Sequence, residues 1–569
     1  MSTFATITKN TNASIVNKDV FVESIINKAV AIESIVNKAI LVAVAVLALF
    51  TSVNIQAQQP PNQPIDLPEF IVTGTERIEV PSSAKQPPAK PPALKAQILD
   101  SLNPTEKHPM PKIAARALPS PIRQYTLWPG YIEASMGNYI TPNVLAGYSL
   151  RTGGYRVDLN AFAEAAASAW VPNAEYFKAG ASLFSTYTAP QEFLVFGGSV
   201  TDVDLGFNTS NYSLYALTPA SQRNTNNLHA GVGVRGAYEG FHYEGGASYT
   251  STSMRTNRGI ETMNDDVSDN KLRGYLALEQ RWTQYDVGAK VDLRFQSFAG
   301  NSYPFMEGSA FARYSTSFMR LSAGAGVQSA MSTIGVSRFG VLVLGELDLF
   351  VGPDITVQAN LRSGLRPITF ASLLEENPYV NASAFLDAAY DVFDIRGSIV
   401  LRPSLALAVT AGIRLRQSER DVFWTSDRTG TFVPSYSTVT MLQIPADVRW
   451  FMTSKDVLTA DLMLTTARID SVDKPYVPSV RASLAYERAW TPSIRSVVAG
   501  IYVGDRFADL GNKITLSGYV DVRVRAEVDF TPTLSAHVRA ENIVANTIVL
   551  WNGYAERGAF FSGGITWKF

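Results

Sequence analysis

The most regular feature of the chain is an alternation of apolar and polar side chains that begins near Tyr131 and runs to the last residue. Between Asp286 and Phe298, Val287, Ala289, Val291, Leu293 and Phe295 share one face, while Asp286, Lys290, Asp292, Arg294 and Gln296 share the other. A period of two is that of a strand whose faces meet different surroundings. The pattern returns at Val520 to Phe530, where valines oppose Asp521, Arg523, Arg525, Glu527 and Asp529, and again at Leu534 to Glu541. Strands of soluble proteins average about 5 to 6 residues, whereas a tilted strand crossing a bilayer needs about 9 to 11. The runs here match the second length. They predict an all-β, antiparallel transmembrane β-barrel with an apolar outer face and a polar lumen.

Turn signals supply a strand count. Tight turns are predicted near Gly153, Pro190, Gly240, Thr283, Ser317, Pro353, Pro403, Ser454, Pro492 and Pro532. Each interval holds two membrane strands and one longer loop, so with a first strand at Tyr131 to Gly137 and a last at Ala559 to Phe569 the total is about 22. Phe350, Trp490 and Phe530 precede turns, and Trp170, Trp282, Trp450 and Trp567 lie near strand ends, where aromatic rings suit the headgroup zone. The segments Asp204 to Leu228 and Asn257 to Asn270, rich in Asn, Ser and Thr, read as long loops.

Ahead of the barrel the pattern is different. Ala39 to Phe50 (AILVAVAVLALF) follows Lys38 and precedes small residues up to Ala57, the layout of a signal-peptide core, so residues 1–57 are expected to be an export signal. Its leading part is long and holds a ten-residue repeat starting at Ser14, Ser24 and Ser34, for which we have no physical account. Residues 58–125 form a proline-rich segment with 14 of the chain's 30 prolines between Gln58 and Pro121. Proline gives no backbone N–H, so this segment is expected to be an extended, disordered periplasmic tether. Residues 126–569 are the barrel.

Composition narrows the chemistry. A formal net charge of -1 gives no footprint for nucleic acid, and the absence of cysteine removes thiol catalysis, disulfides and thiolate metal sites. The four histidines show no H-x-x-x-H spacing, and no G-x-S-x-G accompanies His537. No catalytic residue, metal site or cofactor is expected.

Three segments, in this order along the chain, resemble TonB-dependent outer-membrane receptors. EFIVTGTER from Glu69 is similar to the stretch that engages TonB, a hydrophobic trio before Thr-Gly. Glu69, Phe70, Ile71, Val72, Thr73, Gly74 and Thr75 would pair with a partner's sheet edge by strand addition. SGLRPITFASLLEENPYVN from Ser363 resembles the family's Arg-Pro-aromatic run leading to an Asn-Pro element. The ending from Glu541 resembles the family's closing hairpin, with Phe561, Ile565, Trp567 and Phe569 on one face of the last strand. The resemblance implies that this strand is read by the barrel-assembly machinery. The family's plug of well over a hundred residues has no counterpart, because only about fifty proline-rich residues separate Gly74 from Arg123.

Two functions remain open. One is passage of an unidentified solute across the outer membrane, with TonB or another periplasmic protein as partner. The other is a non-transporting scaffold in the outer-membrane lipid whose tether docks a periplasmic protein. The export reading predicts that the mature protein begins near Gln58, which an intact-mass measurement of the membrane-extracted chain would show; a mass starting at Met1 would contradict it.

Overall fold

The computed structural model describes residues 128–569, apart from 169, 194–195, 258–263 and 428–429. The export segment, the tether and Glu69–Thr75 lie outside the described residues.

From Gly130 onward the chain forms one antiparallel sheet. Its 24 segments include two of only two residues, Asn301–Ser302 and Val472–Asp473, and the remaining 22 make a closed ring. In chain order these are β1 (Gly130–Gly137), β2 (Thr141–Thr152), β3 (Tyr155–Ala166), β4 (Tyr176–Thr188), β5 (Val200–Leu214), β6 (Ser221–Tyr238), β7 (Phe241–Asn257) and β8 (Asn264–Arg281). Next come β9 (Tyr285–Phe298), β10 (Phe305–Ser315), β11 (Met319–Met331), β12 (Ser337–Phe350), β13 (Ile355–Pro367), β14 (Ala388–Ser404) and β15 (Leu407–Ser426). The ring ends with β16 (Phe432–Phe451), β17 (Asp456–Ile469), β18 (Val480–Thr491), β19 (Ile494–Val503), β20 (Tyr519–Asp529), β21 (Leu534–Glu541) and β22 (Phe560–Lys568). Each strand pairs with its neighbours in sequence, and β1 pairs with β22 from Tyr131↔Lys568 to Gly137↔Ser562. Closure leaves no open edge, as hydrocarbon requires of a spanning sheet. No helix among the described residues is long and apolar enough to cross a membrane; the barrel crosses with strands.

The predicted faces hold. Val287, Val291, Leu293 and Phe295 on β9 are exposed on the outside, whereas Asp292 and Gln296 between them are buried. Charges line the inner wall because their partners are there: Arg273 and Arg294 both reach Asp292, at 2.6 and 3.0 Å.

The tight turns gather at one rim with Gly130 and Phe569, and this is the side of short periplasmic turns. Trp282, Trp450, Trp490, Phe530 and Trp567 are exposed around it, as a headgroup girdle demands. Three expectations change. Pro190 opens a connection of residues 189–199 in place of a tight turn. Trp170 belongs to the opposite rim, where its indole N–H donates to the Ala555 carbonyl at 3.0 Å. Asp204 to Leu228 and the described residues of Asn257 to Asn270 are mostly strand, in β5, β6, β7 and β8. These strands rise above the bilayer, where the outer face no longer needs to be apolar, so they lack the alternation of a membrane segment.

The wall is uneven in height. β15 and β16 have 20 residues each, about 66 Å at 3.3 Å per residue, whereas β1 and β21 have 8. The seam near the chain ends is the low side. Phe569 closes it: its N–H and carbonyl exchange hydrogen bonds with Gly130 at 2.9 Å, and its ring stacks on Tyr148. Phe561, Ile565, Trp567 and Phe569 all face outward and are exposed. Phe569→Ala should therefore reduce the fraction of chain that reaches the heat-modifiable, folded form on gels several-fold, while Val351→Ala in an exposed periplasmic turn should leave it unchanged.

Candidate functional site: loops that meet across the barrel mouth

The largest buried apolar cluster of the described residues lies among the loops at the rim opposite the tight turns. Its centre is the β13–β14 connection. β13 carries a bulge between Arg362 and Gly364, and Gly364 has φ +143, a conformation that side-chain-bearing residues rarely adopt. A Cβ there would sit 2.5 Å from Gln328 Oε1. Gln328 fills the bulge: it accepts from the Leu365 N–H at 2.5 Å and donates to Glu307 at 2.7 Å.

Beyond Pro367 the chain turns inward as a helix, α1 (Phe370–Glu376). Thr369 caps it in a reciprocal box with Ser372. Two of its first N–H groups are satisfied from across the rim, since Asp269 on β8 accepts from Phe370 at 3.1 Å and Ala371 at 3.4 Å. A carboxylate at a helix start also meets the positive end of the peptide dipoles. Phe370 and Leu373 are buried beside Phe298, Tyr303 and Leu386. Trp424 on β15 donates its indole N–H to Glu376 at 2.9 Å.

The strand-like residues after α1 are held from two sides. Arg223 on β6 is buried and donates to the carbonyls of Pro378 and Val380, both at 2.8 Å, and to Thr256 at 3.0 Å. On the other side Asn381 N–H donates to Phe432 O at 2.7 Å, and Phe432 N–H to Tyr379 O at 3.0 Å. β6 and β16 stand ten strands apart in a ring of 22, nearly across its diameter. One segment therefore bridges the mouth.

Other loops complete the bridge. Tyr554, in the β21–β22 connection, stacks on Tyr379 with centroids 3.5 Å apart and donates to Gly430 O at 2.9 Å. Tyr215, after β5, donates to Ala555 O at 2.7 Å. Trp551 packs on Trp424, Phe432 and Tyr476. A Cβ on Gly430 would come within 3.1 Å of Leu217, so the β5–β6 and β15–β16 connections touch from opposite walls. Burial pushes the hydroxyls of Tyr215, Tyr379 and Tyr554 well above their usual range, and that of Tyr476 to about 12, so all four stay protonated at physiological pH.

Under this layer lies a charged latch. Asp421 on β15 receives Arg366 at 2.6 Å, Arg416 at 2.9 Å and Lys474, from the β17–β18 connection, at 2.9 Å. Arg366 also reaches Asp391 at 3.3 Å. The network ties the β17–β18 connection to the wall and fixes the end of β13, from which α1 departs.

Of the segments singled out in the sequence, the one from Ser363 becomes the centre of this site. The assembly residues Phe561, Ile565, Trp567 and Phe569 lie on the outer surface of β22 and take no part in it, and Glu69–Thr75 fall outside the described residues. The cross-mouth contacts of Arg223, Asp269, Tyr554 and Trp551 were not foreseen, because they join loops up to hundreds of residues apart; the clustering of Trp551 and Tyr554 in the last loop was the one local sign. Among the described residues no group of three or more His, Cys, Asp or Glu could hold a metal.

A closed 22-stranded barrel with an apolar outside and a polar lumen is an integral outer-membrane protein. Its likeness to known proteins is in structure: no family model matches the sequence, and no curated protein does. The copper transporter OprC superposes with a TM-score of 0.61 at 11% identity over 77% of this chain and 80% of that one. The FrpB iron transporter from Neisseria meningitidis gives 0.62 at 9%, covering 78% and 81%. The ferric-catecholate import receptor Fiu from E. coli K12, closed form, gives 0.60 at 11%, covering 78% and 82%. At such identities the likeness is one of fold.

Two predictions test the geometry. Asp421→Asn leaves Arg416 and Lys474 without their buried counter-charge and should lower barrel stability by about 3 to 5 kcal/mol, read from the temperature at which heat-modifiability is lost. Burial also raises the carboxyl of Glu556, against the opposing pull of Lys178 and Arg557. A carboxyl raised on folding adds stability below its ordinary titration range and loses it as pH rises through the raised value. Hydrogen exchange in residues 542–559, corrected for intrinsic rates, should thus slow on acidification from neutral pH, and Glu556→Gln should abolish the difference.

Proposed function

We propose that the chain is a transporter of the TonB-dependent type that closes its barrel with its own extracellular loops in place of a globular plug. The observation that carries this reading is the bridge across the mouth, where α1 and the segment after it are held by Arg223 and Asp269 on one wall and by Phe432 and Trp424 on the other. A lumen of 22 strands is wide enough that such barrels are normally plugged. A gate at the outer rim satisfies that need without a second domain. Opening then admits a solute, and energy enters through Glu69–Thr75, whose β-favouring Ile71, Val72 and Thr73 suit strand addition to TonB. The transporters and receptors among the structural neighbours handle copper, iron and ferric catecholates, which supports solute uptake as the class of function.

In a planar bilayer the intact protein should be silent. Replacing residues 369–387 by a short Gly-Ser turn should give large steady conductance, whereas deleting residues 58–121 should not; the reverse pattern would move closure to the tether. A peptide from Leu67 to Arg77 should bind the periplasmic domain of TonB and lose binding with Val72→Pro, which removes a backbone donor. No binding would leave the scaffold reading in front.

A further inference from the structure

The inner wall is divided into two unlike parts. From β8 round to β22 it is covered by paired charges: Arg313 reaches Glu279 and Asp286, Arg396 and Arg414 share Asp394, and Arg495 joins Glu527 and Asp529. Aromatic rings on that side are covered as well. Phe298 and Phe305 are buried, and Arg313 lies over Phe311 at 5.7 Å.

Two register rows of the wall from β2 to β7 are free of charged side chains. One register row across it reads Gly147, Asn160, Ser182, Gly206, His229 and Thr250. The next row holds Phe162, Asn208 and Asn227. Neither row contains a carboxylate, ammonium or guanidinium group. Gly147, Gly180 and Gly206 keep the wall flat, while Asn160, Ser182 and Asn208 are exposed to the lumen.

Two phenylalanines stand open on this wall. Phe162 is 41% and Phe184 is 40% exposed, and both face inward, since Phe162 lies over Gly180 and Phe184 pairs in register with Asp158 and Asp204. Asp158 is four residues from Phe162, which places the rings about 13 Å apart along the strands. Apolar rings held in a water-filled lumen oppose the hydrophobic effect unless something uses them. Between them, His229 is oriented by Asp204 and by Thr250, the latter at 3.2 Å.

We infer that the solute path runs along the β2–β7 wall and takes a neutral, polyhydroxylated solute longer than one sugar ring, such as an oligosaccharide. The inference rests on the proposed transport function. Ring faces accept the C–H face of a pyranose, and amide, hydroxyl and imidazole groups supply donors and acceptors without net charge. A path for an anionic chelate would need free cations here. The two rows themselves carry none; of the cations at their borders, Arg156 is paired with Asp158 at 2.7 Å and Arg235 with Asp202 at 3.4 Å, whereas Lys178 lies over the Tyr176 ring at 5.2 Å and Lys271 on β8 stands in register with Thr250.

The test titrates maltohexaose, with citrate as the anionic comparison, onto the chain whose residues 369–387 are replaced, in a planar bilayer. Maltohexaose should interrupt the current reversibly, citrate should not, and Phe162→Ala or Phe184→Ala should weaken the block at least about tenfold, with Leu228→Ala on the outer face as the unchanged control. Block by citrate alone, or sugar block indifferent to both phenylalanines, overturns the inference. Absence of any conductance would count against the loop gate instead. Titration calorimetry of maltohexaose onto the intact chain in detergent then makes the same comparison, and no binding, or binding equal in the two alanine variants, overturns it.

Discussion

Everything in this structure follows from one requirement: backbone N–H and C=O groups cannot be left unpaired in hydrocarbon. A sheet meets it only by closing, and here closure falls between β1 and β22, through the exchanged hydrogen bonds of Gly130 and Phe569. Closure at 22 strands creates a second problem. The ring is too wide for its own inward side chains to fill. The paired arginines and aspartates coat the wall without reaching across it, so the mouth must be spanned by something longer than a side chain. The loops answer that need, and the tallest strands, β15 and β16, carry the walls on which they rest.

The loop assembly is built from two kinds of contact with different tolerances. Stacked rings such as Tyr379 on Tyr554 gain from burial and survive small shifts. The polar anchors do not, because Arg223 and the N-terminus of α1 are buried and depend on particular partners. An arginine satisfied by two carbonyls is replaced by water only if the segment leaves altogether. If the mouth opens as proposed, it would be shut or open, with little in between.

The barrel was legible in the sequence because its signals are local. Period-two alternation in Asp286 to Phe298, and the turns at Gly240 and Pro492, each lie within a dozen residues. The closing hairpin was legible for the same reason. Asp204 to Leu228 was misread because Asn and Ser on both faces look like a loop, yet strands above the bilayer have water on both sides and need no apolar face. The gate was least legible. Phe370 and Leu373 show a short apolar pair, but what they pack against comes from β9 and β15. No spacing along the chain could reveal Arg223 beneath Val380, 157 residues away.

The proposed gate of loops would differ in mechanism from a plug. A globular plug can move as a body, whereas each loop here is tied at both ends to strands that the membrane holds still. Motion must occur at the roots of the loops, and there the backbone already departs from extended form: at the Gly364 bulge, at Gly430 with φ +77, and at Asn542 with φ +46. The chain enters β1 at Gly130 on the periplasmic rim, the far side from the gate. Under the proposed coupling, a pull on the residues before β1 would have to travel up the wall or through the lumen to act. The low seam formed by β21, β22 and β1 is the shortest such route, since β21 leads directly into the loop that carries Trp551 and Tyr554. In the proposed mechanism, force at the first strand and movement of the gate would be linked through the same hydrogen-bonded seam that Phe569 closes.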